Sequence, residues 1–421
     1  MLAEIHKVAA ITRLITIGLA IASYIFIGSY DSSAEIQLDS SRPHVLNVFL
    51  RWDAMYFLHI SEFGYIFEQE TAFFPLMPLI ARFIANTVFW PLQSILSYRY
   101  TLLLAGVTIA NVCFVLAAGA LYRLTIALLP GNKKLAFASA IAFCLSPPAM
   151  FMSSFYTESL FAWITFEGMR FIAQKKYLLA ALIWSFASAA RSNAIVYSGF
   201  FFYDLFWMRF VNRKRYLTGL VKACIYTLIT ISGFVAFQYY TFNRFCSLDR
   251  PWCENKLPLL YSFVQKEYWG NGFLAYYEVK QIPNFVLAAP IILISLFGLK
   301  NYIQHDSLRF LTIHLMSSKT PYRKADENQS YTSSALAVYM YLWAFLLVFV
   351  CCNMHVQVII RFFTSLPPLY WFVGALWSKA FGSSQLDKNV QSTVAANLVF
   401  SYFILYGLAG IVLFSGFLPP A

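Results

Sequence analysis

Five side chains stand where their type could do chemistry: Asp53 in "RWDAMYFLHISEFGY", Glu158 in "FYTES", Arg191 in "ARSN", and His355 and Arg361 in "HVQVIIR". A carboxylate can take a proton from a polar acceptor, and a guanidinium can hold phosphate oxygens through two parallel hydrogen bonds. If 52–63 is helical, Asp53, Tyr56, Phe57 and Ile60 share one stripe, which sets an acid above an apolar face. The plainer role for Asp53 is a helix cap. Arg191 and Arg361 lie at the edges of apolar runs, where a charge is costly and is either partnered, functional or snorkelled to the headgroups. Gln357 and Arg361 are spaced i, i+4, so both can face one cavity with His355.

Other polar residues gather in the same segments. Glu68 and Glu70 precede an apolar run and suit a helix first turn, while two acids two residues apart make a weak metal signature. Tyr156 and Glu158 are placed to share a cavity with Asp53. The stretch 241–282 mixes Gln265, Tyr268, Trp269 and Asn271 with many further aromatic residues, a combination of stacking faces and amides that suits a sugar. Cys246 and Cys253 flank "SLDRPW", and an oxidising compartment would allow a disulfide between them.

The elements that must position these groups are membrane helices. Of 421 residues, 60% are hydrophobic and 12% charged, with a mean hydropathy of +0.62, so the expected fold is an all-α integral membrane protein. Apolar runs place about eleven spans, at 8–28, 100–122, 134–151, 157–173, 177–190, 194–210, 217–240, 283–299, 335–351, 357–377 and 394–416. The first run lacks a small-x-small cleavage site and reads as a retained anchor. The segment 72–90, broken by Pro75, Pro78 and Arg82, reads as a helix on the membrane surface or re-entering it.

With the amino terminus cytosolic, the turns holding Lys133/Lys134, Lys175/Lys176, Arg213/Lys214/Arg215, Lys319/Arg323/Lys324 and Lys388 all fall on the cytosolic side, as the positive-inside rule requires. The net charge of +12 is then a matter of topology and calls for no nucleic-acid partner. The first loop, 31–98, and the second, 241–282, fall on the opposite, lumenal face, and 300–334 forms a cytosolic loop. Walker, GxGxxG, Cys-x-x-Cys and zinc-type patterns are absent.

Taken in order, "RWDAMYFLHISEFGY…ETAFFPLMPL", "SPPAMFMSSFYTES", "ARSN", "CSLDRPWC…VQKEYWGNGFLAYYEVKQIPNF" and "HVQVIIR" resemble the family of second mannosyltransferases of glycosylphosphatidylinositol (GPI) anchor assembly, over nearly the whole chain. The resemblance implies a GT-C-type helical bundle in the endoplasmic reticulum membrane with a lumenal active site. Its donor would be dolichol-phosphate mannose, its acceptor the GPI-precursor glycolipid, and its product an α1,6-linked second mannose. Trp52 and Asp53 match the family's Trp-Asp motif, so Asp53 becomes the expected catalytic acid. Arg191, Arg361 and His355 become expected donor-phosphate ligands. Trp52, Glu70, Tyr156, Glu158, Asn193, Gln265, Tyr268, Trp269 and Gln357 are expected around the acceptor. No cofactor or obligatory metal is implied, and a small membrane subunit is, by similarity to fungal members. Two other readings stay open at this point: a transferase using another dolichol-phosphate sugar, and a lipid or solute transporter with a polar pathway.

Overall fold

The computed structural model describes residues 1–38, 44–246, 250–316, 330–381 and 390–419, and the described elements are all helical. The basic turns expected at Lys319/Arg323/Lys324 and Lys388 lie outside the described residues. Among the described residues seven helices are long and apolar enough to cross a membrane: Leu2–Ile27, Tyr98–Leu128, Ser192–Val211, Tyr216–Phe245, Val279–His305, Ser334–Asn353 and Thr393–Ser415. An eighth crossing is a broken one, Val356–Ser365 followed by Pro367–Ala380, bent by 82°. Pro367 and Pro368 open the second half, since proline suits a first helical turn and cannot continue a preceding one.

The remaining expected spans are helical but short. Lys133–Cys144 has 12 residues, Glu158–Ala173 has 16 and Tyr177–Ser188 has 12, against the roughly 20 a full crossing needs. For Lys133–Cys144 the reason lies in "SPPAMFMSSFYTES": Pro147 and Pro148 stop the helix, and the chain runs on to Thr157 as turns that are buried in protein. Non-helical backbone at membrane depth is tolerated only where protein satisfies it. Here Arg13, from the first span, donates to Ala149 O at 2.8 Å and Ser153 Oγ at 3.0 Å, and Asn111 donates to Ser153 O at 2.8 Å.

Two glycines allow helices to approach closely. A Cβ on Gly374 would lie 2.7 Å from Ser139 N, and one on Gly233 would lie 2.2 Å from Ser185 O; small residues serve this purpose where helices pack in lipid.

The first loop carries helices Asp53–Phe63 and Leu76–Asn86. The latter's 11 residues span about 16 Å, too short to cross. Met77, Ala81 and Ala85 face inward while Leu79 and Phe83 are exposed, as on a helix lying along an interface. Ion pairs fix the loop: Glu62 holds Arg99 at 2.8 Å. Glu68 receives Arg250 Nη2 at 2.6 Å, Trp252 Nε1 at 3.1 Å and the Tyr268 hydroxyl at 3.3 Å. Glu68 thereby ties the first loop to the second, whose Cys246 and Cys253 form a disulfide.

Candidate active site

A cavity of about 520 Å³ opens at the end of the bundle where the first loop, the unwound 145–157 segment, the Ala190–Asn193 turn and the start of the broken crossing meet. The basic turns at Lys133/Lys134 and Lys175/Lys176 occupy the opposite ends of the helices that lead to it. Among the lining residues Asp53 is the one acid, and Arg191 and Arg361 are the two permanent cations.

Asp53 is the first residue of the Asp53–Phe63 helix. It follows Trp52, whose φ of 53° is a left-handed value that a tryptophan seldom adopts. That turn directs the carboxylate toward the broken crossing, where its Oδ2 lies 2.8 Å from Arg361 Nη2. Arg361 is also bonded through Nε to Glu158 Oε1 at 2.8 Å, and Arg191 Nη1 reaches the same oxygen at 3.4 Å. Asp53, Arg361, Glu158 and Arg191 therefore form one alternating row of charges. Aromatic faces hold the guanidinium groups: Arg361 lies 4.5 Å from the Phe151 centroid and 5.0 Å from that of Tyr156, and Arg191 5.0 Å from that of Phe362.

The second wall is polar and uncharged. His355 stacks on Tyr276 with centroids 4.4 Å apart, and burial holds its imidazole below the ordinary value of 6.5. The Tyr276 hydroxyl donates to Gln357 Oε1 at 2.9 Å and accepts from Asn284 Nδ2 at 2.8 Å. Asn271 Nδ2 donates to Gln265 Oε1 at 2.7 Å, and Ser192 Oγ donates to the Tyr261 hydroxyl at 2.7 Å.

Trp52, Asp53, Arg191, Asn193, Gln265, Trp269, His355, Gln357 and Arg361 all line the cavity. Four other expected residues stand off its wall. Glu70 accepts from the amides of Ile66 at 2.8 Å and Phe67 at 3.0 Å and pairs with His59, a capping role. Tyr156 is buried and donates to Arg51 O at 2.8 Å. Glu158 is buried behind the two arginines, and Tyr268 binds Glu68 outside the cavity. Sequence reasoning passed over Asn284 and Ser192; the signal for Asn284 was an amide one turn into an apolar helix beside Pro283. Among the described residues no group of three or more His, Cys, Asp or Glu is arranged to hold a metal ion.

The fold is that of a solved GT-C enzyme: the oligosaccharyltransferase of Archaeoglobus fulgidus, crystallised with a tethered acceptor peptide, superposes with a TM-score of 0.51 at 12% identity, covering 97% of this chain and 55% of that one. The chain thus shares the GT-C-type helical fold of that integral-membrane enzyme. Residues 10–421 match the model of the family described as mannosyltransferase (PIG-V), and the chain belongs to that family. Its relatives include the human GPI alpha-1,6-mannosyltransferase 2, 31% identical over 87% of this chain and 86% of that protein. The protein of the same name from Cricetulus griseus is 31% identical over 99% and 98%. GPI mannosyltransferase 2 of Schizosaccharomyces pombe is 31% identical over 93% and 79%.

Proposed function

We propose that this mannosyltransferase adds the second mannose, in α1,6 linkage, to the GPI precursor, using dolichol-phosphate mannose at the lumenal face of the endoplasmic reticulum membrane. The names of the relatives support the acceptor and the linkage. The observation that carries the chemistry is the position of Asp53, the one acid lining the cavity, beside two arginines.

A β-linked donor and an α-linked product require inversion, which one in-line displacement supplies. The acceptor 6-hydroxyl oxygen bonds to the anomeric carbon as the carbon–oxygen bond to phosphate breaks, and the hydroxyl proton passes to the Asp53 carboxylate. The departing dolichyl phosphate keeps the electron pair of the broken bond. Arg191 and Arg361, with neutral His355, stabilise that charge in place of a metal, so neither metal nor cofactor enters the scheme. Trp52, Asn193, Gln265, Trp269 and Gln357 line the remaining wall, where amides and ring faces suit sugar hydroxyls and C–H edges. A small membrane subunit, as in fungal members, accompanies the chain in this reading.

The test is complementation of cells lacking the second anchor mannosyltransferase. The unmutated chain is expected to restore the two-mannose lipid, and Asp53→Asn, at equal abundance, to leave the one-mannose lipid accumulating. Equal rescue by Asp53→Asn would remove Asp53 from the chemistry.

A further inference from the structure

Glu158 is the first residue of the 16-residue Glu158–Ala173 helix and has no exposed surface. It is absent from the cavity wall, yet its Oε1 takes both Arg361 Nε and Arg191 Nη1. Among the described residues Glu158 is the one carboxylate within ion-pair distance of Arg191, and its own Oε2 has no hydrogen-bond partner.

We propose that Glu158 is a positioning residue that fixes the two guanidinium groups as one phosphate clamp while touching no substrate itself; this rests on the reading of Arg191 and Arg361 as donor-phosphate ligands. The two arginines come from separate segments, the Ala190–Asn193 turn and the broken crossing, and two adjacent cations repel. A carboxylate between them reverses the sign of that interaction. The partial positive charge at the start of its helix favours the anion there, and burial makes its attraction for both partners strong. Engaging Arg361 through Nε leaves the Nη groups to turn between Asp53 and an incoming phosphate, while the ring faces of Phe151 and Phe362 limit other motion. Without Glu158, Arg361 has Asp53 as its remaining counter-ion and Arg191 has none at ion-pair distance, so the guanidiniums part and chelation is lost.

The test uses the full-length enzyme in detergent micelles, with a short-chain polyprenyl phosphate as competitive inhibitor and separate KM values for donor and acceptor. Glu158→Gln is expected to weaken inhibition and raise donor KM by about tenfold or more, the size of one charge-assisted hydrogen bond, with acceptor KM nearly unchanged. In an Arg191→Gln background the same change should add much less, because Glu158 acts through that arginine. Glu158→Asp, which keeps the charge on a shorter stem, should fall between, and it replaces Glu158→Gln in the cycle if the latter does not fold. Unchanged or tighter inhibition, a shift in acceptor KM alone, or fully multiplicative effects in the double variant would each overturn the proposal. If Arg191→Gln and Arg361→Gln themselves leave inhibition unchanged, the phosphate reading fails first; if they weaken it and Glu158→Gln does not, only the role of Glu158 fails.

Discussion

Arg361 Nη2 lies 2.8 Å from Asp53 Oδ2, joining the first loop to the broken crossing at the cavity wall. In the proposed scheme this pair joins the proton acceptor to a phosphate ligand, so a donor phosphate drawing on Arg361 would also free the carboxylate beside the sugar.

Asp53→Asn should therefore lower kcat by about 10²- to 10⁴-fold, the ordinary scale of general-base loss, with little change in inhibition by polyprenyl phosphate. Arg361→Lys keeps the charge but not the fork, and should lose both inhibitor binding and rate. Steady-state kinetics on purified protein separate the two patterns.

The pH dependence of stability follows from His355. Its folded pKa is depressed below 6.5 by burial, so between the two values the unfolded chain binds more protons than the folded one. The stability associated with this site is fully present above about 6.5 and is lost as pH falls through the folded value. Melting temperatures measured across the acid range should decline more steeply for the unmutated protein than for His355→Gln.

Glu68 and Arg250 hold the second loop against the first, and the Cys246–Cys253 disulfide closes the second loop on itself. Replacing both cysteines by serine should lower stability by roughly 2–3 kcal/mol, the entropy scale of a short closed loop. Arg250→Ala should then add to that loss by leaving the carboxylate of Glu68 with fewer donors. Thermal melts of the single and combined variants check both statements.

At Gly374 the added Cβ of any other residue meets the backbone of Ser139. Gly374→Val should cut the amount of folded protein recovered, while Gly410→Ala, where a Cβ meets nothing within 4 Å, should not. Size-exclusion profiles of the two variants compare them directly.

Much of this architecture is legible in the chain because lipid imposes long apolar runs, and each expected run contains a helix, though at 134–151 the helix stops at Cys144. The sequence misleads at 134–173, where apolar turns around Pro147 and Pro148 look like membrane helix. Their backbone is satisfied by Arg13 and Asn111, a long-range arrangement that periodicity cannot reveal. At the site, Asp53, Arg191 and Arg361 could be singled out because charges beside apolar runs are costly. Glu158 and Glu70 were equally visible as acids, but whether a carboxylate faces a cavity or backs an arginine depends on packing between distant segments. The cap made by Glu70 belongs to the same class of local detail that side-chain type alone leaves undecided.

The bond from Arg13 to Ala149 spans 136 positions of the chain. A ribosome therefore delivers the first helix long before the carbonyl that receives its guanidinium exists. Until residues 149–153 have been made, a nascent chain carries an uncompensated cation in the apolar Leu2–Ile27 segment, which burdens its entry into the bilayer. The helix that carries Arg13 is thus made well before the segment that completes its surroundings.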